Sequence, residues 1–372
     1  MKTIKLYVKC EDRLVGTLAL TKDNKVAFQY SESWLKNGFS INPFSLPLSK
    51  EVFVPNKNHF NGLFGVFADS LPDSWGNLLV DRFLKNHNVS ISDINVLDRL
   101  ALIGNNGMGR LSYEPVKEIE LERGCLSLDE LSVECGKLLA SKNSNSIDEL
   151  YRLGGSSGGA RPKVLLKLDN VDWLIKFSNR IDSVDSGVME YEYFKCAEEC
   201  GINVPQTKLF NSQLTSGYFG IERFDIKAGK RIHMITVAGL LELDYESPSL
   251  DYVELIKLTK VLTGDKDTYE MFRRMCFNVF SHNLDDHSKN FSFLYDEDNK
   301  CWRLSPAYDL TYSNTYYGEH TTSVNGKGKN ITEADLLAVG VKNKLNQEKC
   351  KEIIDKVKEC VSNMLSKYLN NL

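Results

Sequence analysis

Asn283-Leu284-Asp285-Asp286-His287-Ser288-Lys289-Asn290 is the stretch on which the reading of this chain turns. Asp285 and Asn290 stand five residues apart. Protein kinases use that D-x-x-x-x-N spacing to set a catalytic carboxylate by the substrate hydroxyl and an amide on a metal ion. Phosphoryl transfer is mostly positioning and charge neutralisation, so acidic, amide and cationic side chains in one short segment suit it. His287 and Lys289 add candidate phosphate contacts. The plainer alternative is a solvated polar turn after a helix ending at His282. Phe291, Phe293 and Leu294 follow at once, which points to a turn clamped against a core.

Downstream, Leu304-Ser305-Pro306-Ala307-Tyr308-Asp309-Leu310 places Asp309 nineteen residues beyond Asn290, past a hairpin-like turn at Tyr295–Asn299. A carboxylate returning there can hold Mg²⁺, which favours oxygen ligands. Upstream, Gly154-Gly155-Ser156-Ser157-Gly158-Gly159-Ala160-Arg161-Pro162-Lys163 has the glycine density that lets backbone N–H groups approach an anion. It is not a Walker A loop, because Ala160-Arg161 stand where Lys-Ser/Thr belong, and G-x-G-x-x-G also fails. A glycine loop leading into a strand is the kinase arrangement. Taken alone, a flexible surface loop explains it equally well.

Lys176 lies in the apolar run Trp173-Leu174-Ile175-Lys176-Phe177, where an ammonium is costly to bury unless paired. Glu190 in the next helix is a candidate partner, although by itself it reads as a solvated helix face. Ile221-Glu222-Arg223-Phe224-Asp225 ends the last strand before a helical half, where backbone groups can meet an adenine edge. Each feature alone is modest. Glycine loop, strand Lys, helix Glu, strand-end hinge, D-x-x-x-x-N and a later Asp, in that order, form an argument.

Composition sets the bounds. The chain has 372 residues, a formal net charge of -4, 42% hydrophobic and 26% charged residues. That is globular composition with room for two or three domains and a substantial core. A mildly acidic chain is a poor candidate for coating nucleic acid. The nine cysteines are scattered without a C-x-x-C, and Cys196 and Cys200 have no His or second Cys pair near them in sequence. Reduced thiols are the expectation, not zinc ligands. MKTIKLYVKCEDRLVG alternates like a strand, with no signal-peptide core, and no run approaches 18 apolar residues. The expectation is a soluble cytoplasmic protein with no membrane partner.

The first forty residues read as an antiparallel meander. Ser70-Leu71-Pro72-Asp73-Ser74 signals a helix start, with Trp75, Leu78, Leu79 and Phe83 at helical spacing. A second helix is expected over Ser127–Ser141, a hairpin over 163–177 turning at Asp169-Asn170, and a helix from Val188 to Cys200. Strands follow at Thr207–Phe210 and Tyr218–Phe224. Beyond residue 230 the chain reads as mostly helical: Leu250–Leu262, Thr268–His282, Glu333–Val339 and Glu348–Leu369. The class is α+β.

These residues together resemble the HipA family of bacterial serine/threonine kinases, the toxin component of type II toxin–antitoxin modules, over nearly the whole chain. Phe67 to Gly76 and Leu100 to Gly109 look like the family's N-terminal signature. Ser156 to Lys163, Ile175-Lys176-Phe177, Glu222 to Asp225, Asn283-x-Asp285-x-His287-x-Lys289-Asn290-Phe291 and Pro306-Ala307-Tyr308-Asp309 match its kinase part. Ile232–Leu243 departs from it.

The resemblance implies a two-lobed protein-kinase-like fold with an extra β-rich N-terminal subdomain (1–110), an N-lobe (111–228) and a helical C-lobe (229–372). Gly158, Gly159, Ala160, Arg161, Pro162 and Lys163 would cover the ATP phosphates, with Lys176 contacting them and Glu190 as its ion-pair partner. The backbone of Glu222, Arg223 and Phe224 would hold adenine. Asp285 would be catalytic and Asn290 and Asp309 would hold Mg²⁺. His287, Ser288, Lys289 and Tyr308 would complete the ATP site. Ser156, or its neighbour Ser157, would be autophosphorylated. The resemblance further implies a protein substrate among translation components, such as an aminoacyl-tRNA ligase, and growth arrest. The implied partner is a HipB-like helix-turn-helix antitoxin that reaches operator DNA. A small-molecule kinase and a pseudokinase in a repressor complex are the competing readings.

Overall fold

A computed structural model describes residues 2–117, 119, 126–179, 183–315 and 317–369. The chain divides into two compact units, residues 1–187 with 209–243, and residues 188–208 with 244–372.

The first unit opens with the expected meander, β1 (Lys5–Cys10), β2 (Arg13–Leu20) and β3 (Val26–Tyr30), closed on the other side of β1 by β4 (Leu111–Glu114). Period-two patterning does the sorting: Leu6, Val8 and Cys10 are buried while Lys5 and Tyr7 face out. Between β3 and β4 lie α1 (Glu32–Asn37), α2 (Gly65–Ala68), α3 (Ser74–Asn86) and α4 (Val96–Ile103). The helix signal at Asp73 is where α3 begins, and Trp75, Leu79 and Phe83 form its buried face.

Next come α5 (Leu128–Leu139), started by a reciprocal Ser127/Glu130 capping box, and α6 (Ile147–Gly154). The hairpin β5 (Lys163–Leu168) and β6 (Val171–Lys176) turns at Asp169 and Asn170, with φ of 52° and 64°. Two successive left-handed residues match the twist of the flanking strands, which is why Asp and Asn serve there. With β7 (Thr207–Phe210) and β8 (Tyr218–Glu222) they form a sheet of order β5-β6-β8-β7. Trp75, Leu79 and Phe83 of α3 share one buried cluster with Leu150 and Leu153 of α6 and with Val164, Trp173, Ile175 and Tyr218 of the sheet. The Phe83 and Tyr151 rings stack at 3.9 Å, joining α3 to α6. The N-terminal region and the glycine-loop sheet therefore have one core.

The four helices expected beyond residue 230 are present, and short strands stand among and before them. Ile226–Lys227 (β9), Lys230–Arg231 (β10) and His233–Thr236 (β11) precede a short α8 (Val237–Leu241). Alternating charges and apolar residues over so few positions leave no helical stripe. The Asn42 side chain donates to the carbonyls of Gly239 and Leu240, and both the amide and the hydroxyl of Thr236 donate to Asp69.

The second unit contains most of α7 (Ser186–Glu199), then α9 (Tyr252–Thr263), α10 (Asp265–Phe280), the hairpin β12 (Ser292–Asp296) and β13 (Cys301–Leu304), α11 (Glu333–Lys342) and α12 (Gln347–Leu369). α10 stops two residues short of His282, which takes a left-handed φ of 55° and turns the chain into the D-x-x-x-x-N segment. The eight described cysteines are free thiols, and no group of three or more His, Cys, Asp or Glu among the described residues could hold a metal. No described helix is long and apolar enough to cross a membrane.

Candidate active site

In the first unit the glycine loop runs from the end of α6 to the start of β5. Ser157 is 1% exposed, and both its amide (3.0 Å) and its hydroxyl (2.6 Å) donate to the Gly154 carbonyl. Ser156 is half-buried and Ala160 exposed. Gly159 sits at φ +79°, a conformation suited to glycine. Its amide donates to Asp73 Oδ2 at 3.0 Å, and its carbonyl accepts the Trp75 amide at 3.1 Å. Lys163 is 5% exposed and donates to the Gly158 carbonyl at 2.5 Å. The Pro162 carbonyl accepts the Phe177 amide, so Pro162 is anchored and Arg161 lies half-buried beside it.

Lys163 and Lys176 are directly opposite in the β5–β6 register, with the Lys176 ammonium 5.9 Å from the centre of the Phe219 ring. At the end of β8, Glu222 pairs with Trp173, and the Arg223 amide donates to the Asp172 carbonyl. The Arg223 guanidinium grips the fully buried Asp225 at 3.0 and 2.7 Å, and Asp225 also accepts the Gly109 amide. The Arg231 guanidinium donates to the carbonyls of Asn105 and Gly107. The 100–109 segment is thereby tied to the strand end at 223–231, and Phe224 is half-buried beside Arg223.

Glu190, on α7, is 2% exposed. This corrects the sequence reading of a solvated helix face. Carboxylates are rarely buried so deeply without a partner.

In the second unit the D-x-x-x-x-N segment is a tight loop ending in a 3₁₀ turn, Ser288–Asn290. Asp285 projects outward, its side chain 60% exposed. Asn290 donates its side-chain amide to the Asp285 carbonyl at 2.7 Å. The His287 Nδ1 accepts the Lys289 amide at 3.2 Å, so the neutral ring carries its proton on Nε2, which lies 3.9 Å from Asp285 Oδ1. The Lys289 ammonium stands 4.4 Å over the Tyr245 ring, with the His287 ring 6.1 Å from the same ring, and Ser288 is buried.

Two supports set this loop. Tyr308 donates to the Lys289 carbonyl at 2.6 Å, bringing Pro306–Asp309 alongside it. Asp309 has φ +52°, and its carbonyl accepts the Asn283 side-chain NH₂ at 3.4 Å. A non-glycine residue in that region costs energy and persists only where its surroundings over-determine it. The second support is Asp286, 1% exposed. Its carboxylate accepts Tyr252 Oη (2.8 Å) and the Thr322 amide (3.0 Å) and meets His320 Nδ1 at 3.0 Å. Burial, then the adjacent Asp286 carboxylate, hold the Tyr252 hydroxyl well above the usual phenol range, so it stays a donor.

No site role was read from sequence for Asp73, Asp286, Tyr252 or His320. His320 is 34 positions from Asp286 and carries no local mark.

An exposed Asp locked to an Asn five residues on, a later Asp held against the same loop, and a separate glycine loop over paired lysines define a kinase-like protein. The comparisons agree. The model of the HipA N-terminal domain matches residues 6–114, and that of the HipA-like C-terminal domain matches residues 155–364. The chain belongs to the HipA family. Two Sinorhizobium fredii proteins named as candidate kinases are similar to it. Y4mE is 26% identical over 90% of this chain and 83% of its own length. Y4dM is 27% identical over 51% of this chain, which spans about half (49%) of that relative. HipA of Shewanella oneidensis MR-1, solved with HipB and operator DNA, has a TM-score of 0.72 at 16% identity, covering 99% of this chain and 91% of that one. That likeness establishes the kinase-like α+β fold.

Proposed function

We propose that this chain is an ATP-dependent serine/threonine protein kinase of toxin type. The observation that carries the reading is the Asn290–Asp285 lock, with Tyr308 holding the Asp309 segment to the same loop. Asp285 accepts the proton of the substrate hydroxyl as that oxygen takes the γ-phosphoryl group and ADP departs. Asn290 donates from its NH₂ to the Asp285 carbonyl, which leaves its side-chain oxygen as the metal-binding atom of this reading. That oxygen and the Asp309 carboxylate are hard donors of the kind Mg²⁺ takes alongside phosphate oxygens and water. Bound there, Mg²⁺ would neutralise charge on the transferred group. His287, Ser288, Lys289 and Tyr308 complete the phosphate side.

The loop residues Gly158, Gly159, Ala160, Arg161, Pro162 and Lys163, together with Lys176, take the phosphates, and Glu190 is the ion-pair partner of Lys176. Adenine meets the backbone of Glu222, Arg223 and Phe224. Because the Arg223 amide is already spent on Asp172, the Glu222 carbonyl and Phe224 amide carry that contact. In the division proposed for the chain, residues 1–110 form the N-terminal subdomain, 111–228 the N-lobe and 229–372 the C-lobe. The protein acts in the cytoplasm. Its substrate is a translation-related protein such as an aminoacyl-tRNA ligase, and it phosphorylates its own loop at Ser156. A HipB-like antitoxin neutralises it and links it to operator DNA. The HipA–HipB–operator complex of the Shewanella relative supports that partner.

The test is incubation of purified protein with Mg²⁺ and γ-labelled ATP, alone and with lysate, against Asp285→Asn. Phosphate transfer to itself or to a protein, absent in the variant, is the expected result. No transfer in either sample defeats the proposal.

A further inference from the structure

Asp73 stands at the start of α3, where an Asp ordinarily caps its own helix by accepting a nearby amide. Here it makes no such cap bond. Its carboxylate turns to the glycine loop and accepts the Gly159 amide at 3.0 Å. The rest of the contact is built around this bond. The neighbouring Trp75 donates its amide to the Gly159 carbonyl at 3.1 Å and its indole N–H to the Lys163 carbonyl at 3.2 Å. A Cβ on Gly76 would come within 2.6 Å of the Ser157 carbonyl, so the first turn of α3 lies directly against the loop backbone. A Cβ on Gly158 would come within 3.0 Å of Asp73 Oδ2, so the carboxylate sits close over the loop at that residue too. On the acceptor side, the Lys163 ammonium already takes the Gly158 carbonyl.

Amides in a glycine loop attract an anion because their partial positive charges converge on one place. At Gly159 a carboxylate of the same chain meets such an amide. We propose that Asp73 is a built-in anion that holds the glycine loop in the place of a phosphate, and that nucleotide phosphate takes the Gly159 amide only by displacing it. The displacement part rests on the reading that this loop covers ATP. In this role Asp73 is a positioning residue. It fixes the loop before nucleotide arrives and sets how tightly nucleotide binds, since its negative charge both competes with and repels the incoming phosphates. The N-terminal subdomain thereby has a direct hold on the nucleotide site.

The experiment uses the full chain with Asp73→Asn and Asp73→Ser. Both residues are favoured at a helix start, so α3 can still begin there while the charge is lost. Two quantities are read: hydrogen exchange of the 157–160 amides without nucleotide, and Mg²⁺–ATP affinity from tryptophan fluorescence, Trp75 being next to the loop. Loss of a charge-assisted bond should speed loop exchange about tenfold. The Kd for Mg²⁺–ATP should fall by roughly threefold to tenfold, the reverse of what a merely structural loss would produce. Unchanged exchange, or weaker ATP binding in both variants, overturns the proposal. If even the unmodified chain fails to bind Mg²⁺–ATP, the nucleotide reading falls. Exchange rates then still decide whether Asp73 holds the loop.

Discussion

Asn290 and Asp285 are joined through the side-chain amide of one and the backbone carbonyl of the other, at 2.7 Å. The spacing visible in the sequence is therefore a physical bond. It closes the loop from which Asp285 projects.

Asn290→Ala removes both the bond and the oxygen donor. Small displacements of a catalytic group cost on the order of a hundredfold in rate, and that is the loss expected in autophosphorylation. Asn290→Asp keeps an oxygen donor but sets a carboxylate against the Asp285 carbonyl. Its activity should fall less and recover as Mg²⁺ is raised. Initial rates across a Mg²⁺ titration check this, and an alanine variant as active as the parent would refute it.

The Asp286 carboxylate has a different task. Buried, and tied to Tyr252, His320 and Thr322, it anchors the loop from behind. Asp286→Ala strands three buried partners and should cost about 3–5 kcal/mol of stability. Tyr252→Phe breaks two bonds, the one it donates to Asp286 and the one it accepts from the Asn278 side chain, and should cost about 1–3 kcal/mol. Urea unfolding of the two variants measures both. An Asp286→Ala midpoint equal to that of the parent would mean the network is only decorative.

Much of this was legible because it is local. The meander, the 163–176 hairpin with its Asp169-Asn170 turn and the long helices follow from periodicity and turn chemistry within a dozen residues. The Asn290–Asp285 contact was legible in the same way, since a five-residue spacing closes a local loop. Asp286 differs from Asp285 only in which way it points, and no pattern in two adjacent aspartates distinguishes the outward one from the buried one. Glu190 carried a polar helix pattern and turned out buried, since burial depends on what packs over a helix as well as on its own sequence. Asp73 read correctly as a helix start, yet its carboxylate serves a glycine 86 residues away. Such a contact exists only once α3 and the β5–β6 sheet have found a common core.

Glu242 gives the fold a pH dependence. Burial pushes its carboxyl from the ordinary 4.5 up to about 7, with Asp69 adding to the rise. The Gly65 amide, the Ser45 hydroxyl and Lys57 pull it down. Between about pH 4.5 and 7 the folded chain holds a proton that the unfolded chain has released, so this group's contribution falls as pH rises through that window. The full effect is at most about 3 kcal/mol, and less for a side chain that still touches water. Urea unfolding at several pH values should show the parent losing stability across that window relative to Glu242→Gln, which has no proton to lose. Parallel curves for the two proteins would remove Glu242 as the cause.

Ser156 and Ser157 are adjacent but not equivalent. The Ser157 hydroxyl is buried and donates to the Gly154 carbonyl, while Ser156 is partly open to solvent. A hydroxyl already committed inside the loop makes a poor acceptor for a phosphoryl group, so mass spectrometry after incubation with Mg²⁺–ATP should place the phosphate on Ser156. Ser156→Ala should abolish it. Ser157→Ala should keep it while losing about 0.5–1.5 kcal/mol of stability, the worth of one hydrogen bond to a carbonyl that still accepts the residue 157 amide. Phosphate at Ser156 adds about two negative charges three residues before Gly159, whose amide Asp73 holds. Phosphate and carboxylate then compete for that one amide and repel each other, so the phosphorylated loop should leave α3. Faster proteolysis at Arg161 in the phosphorylated protein would register that release, and an unaltered cleavage rate would contradict it.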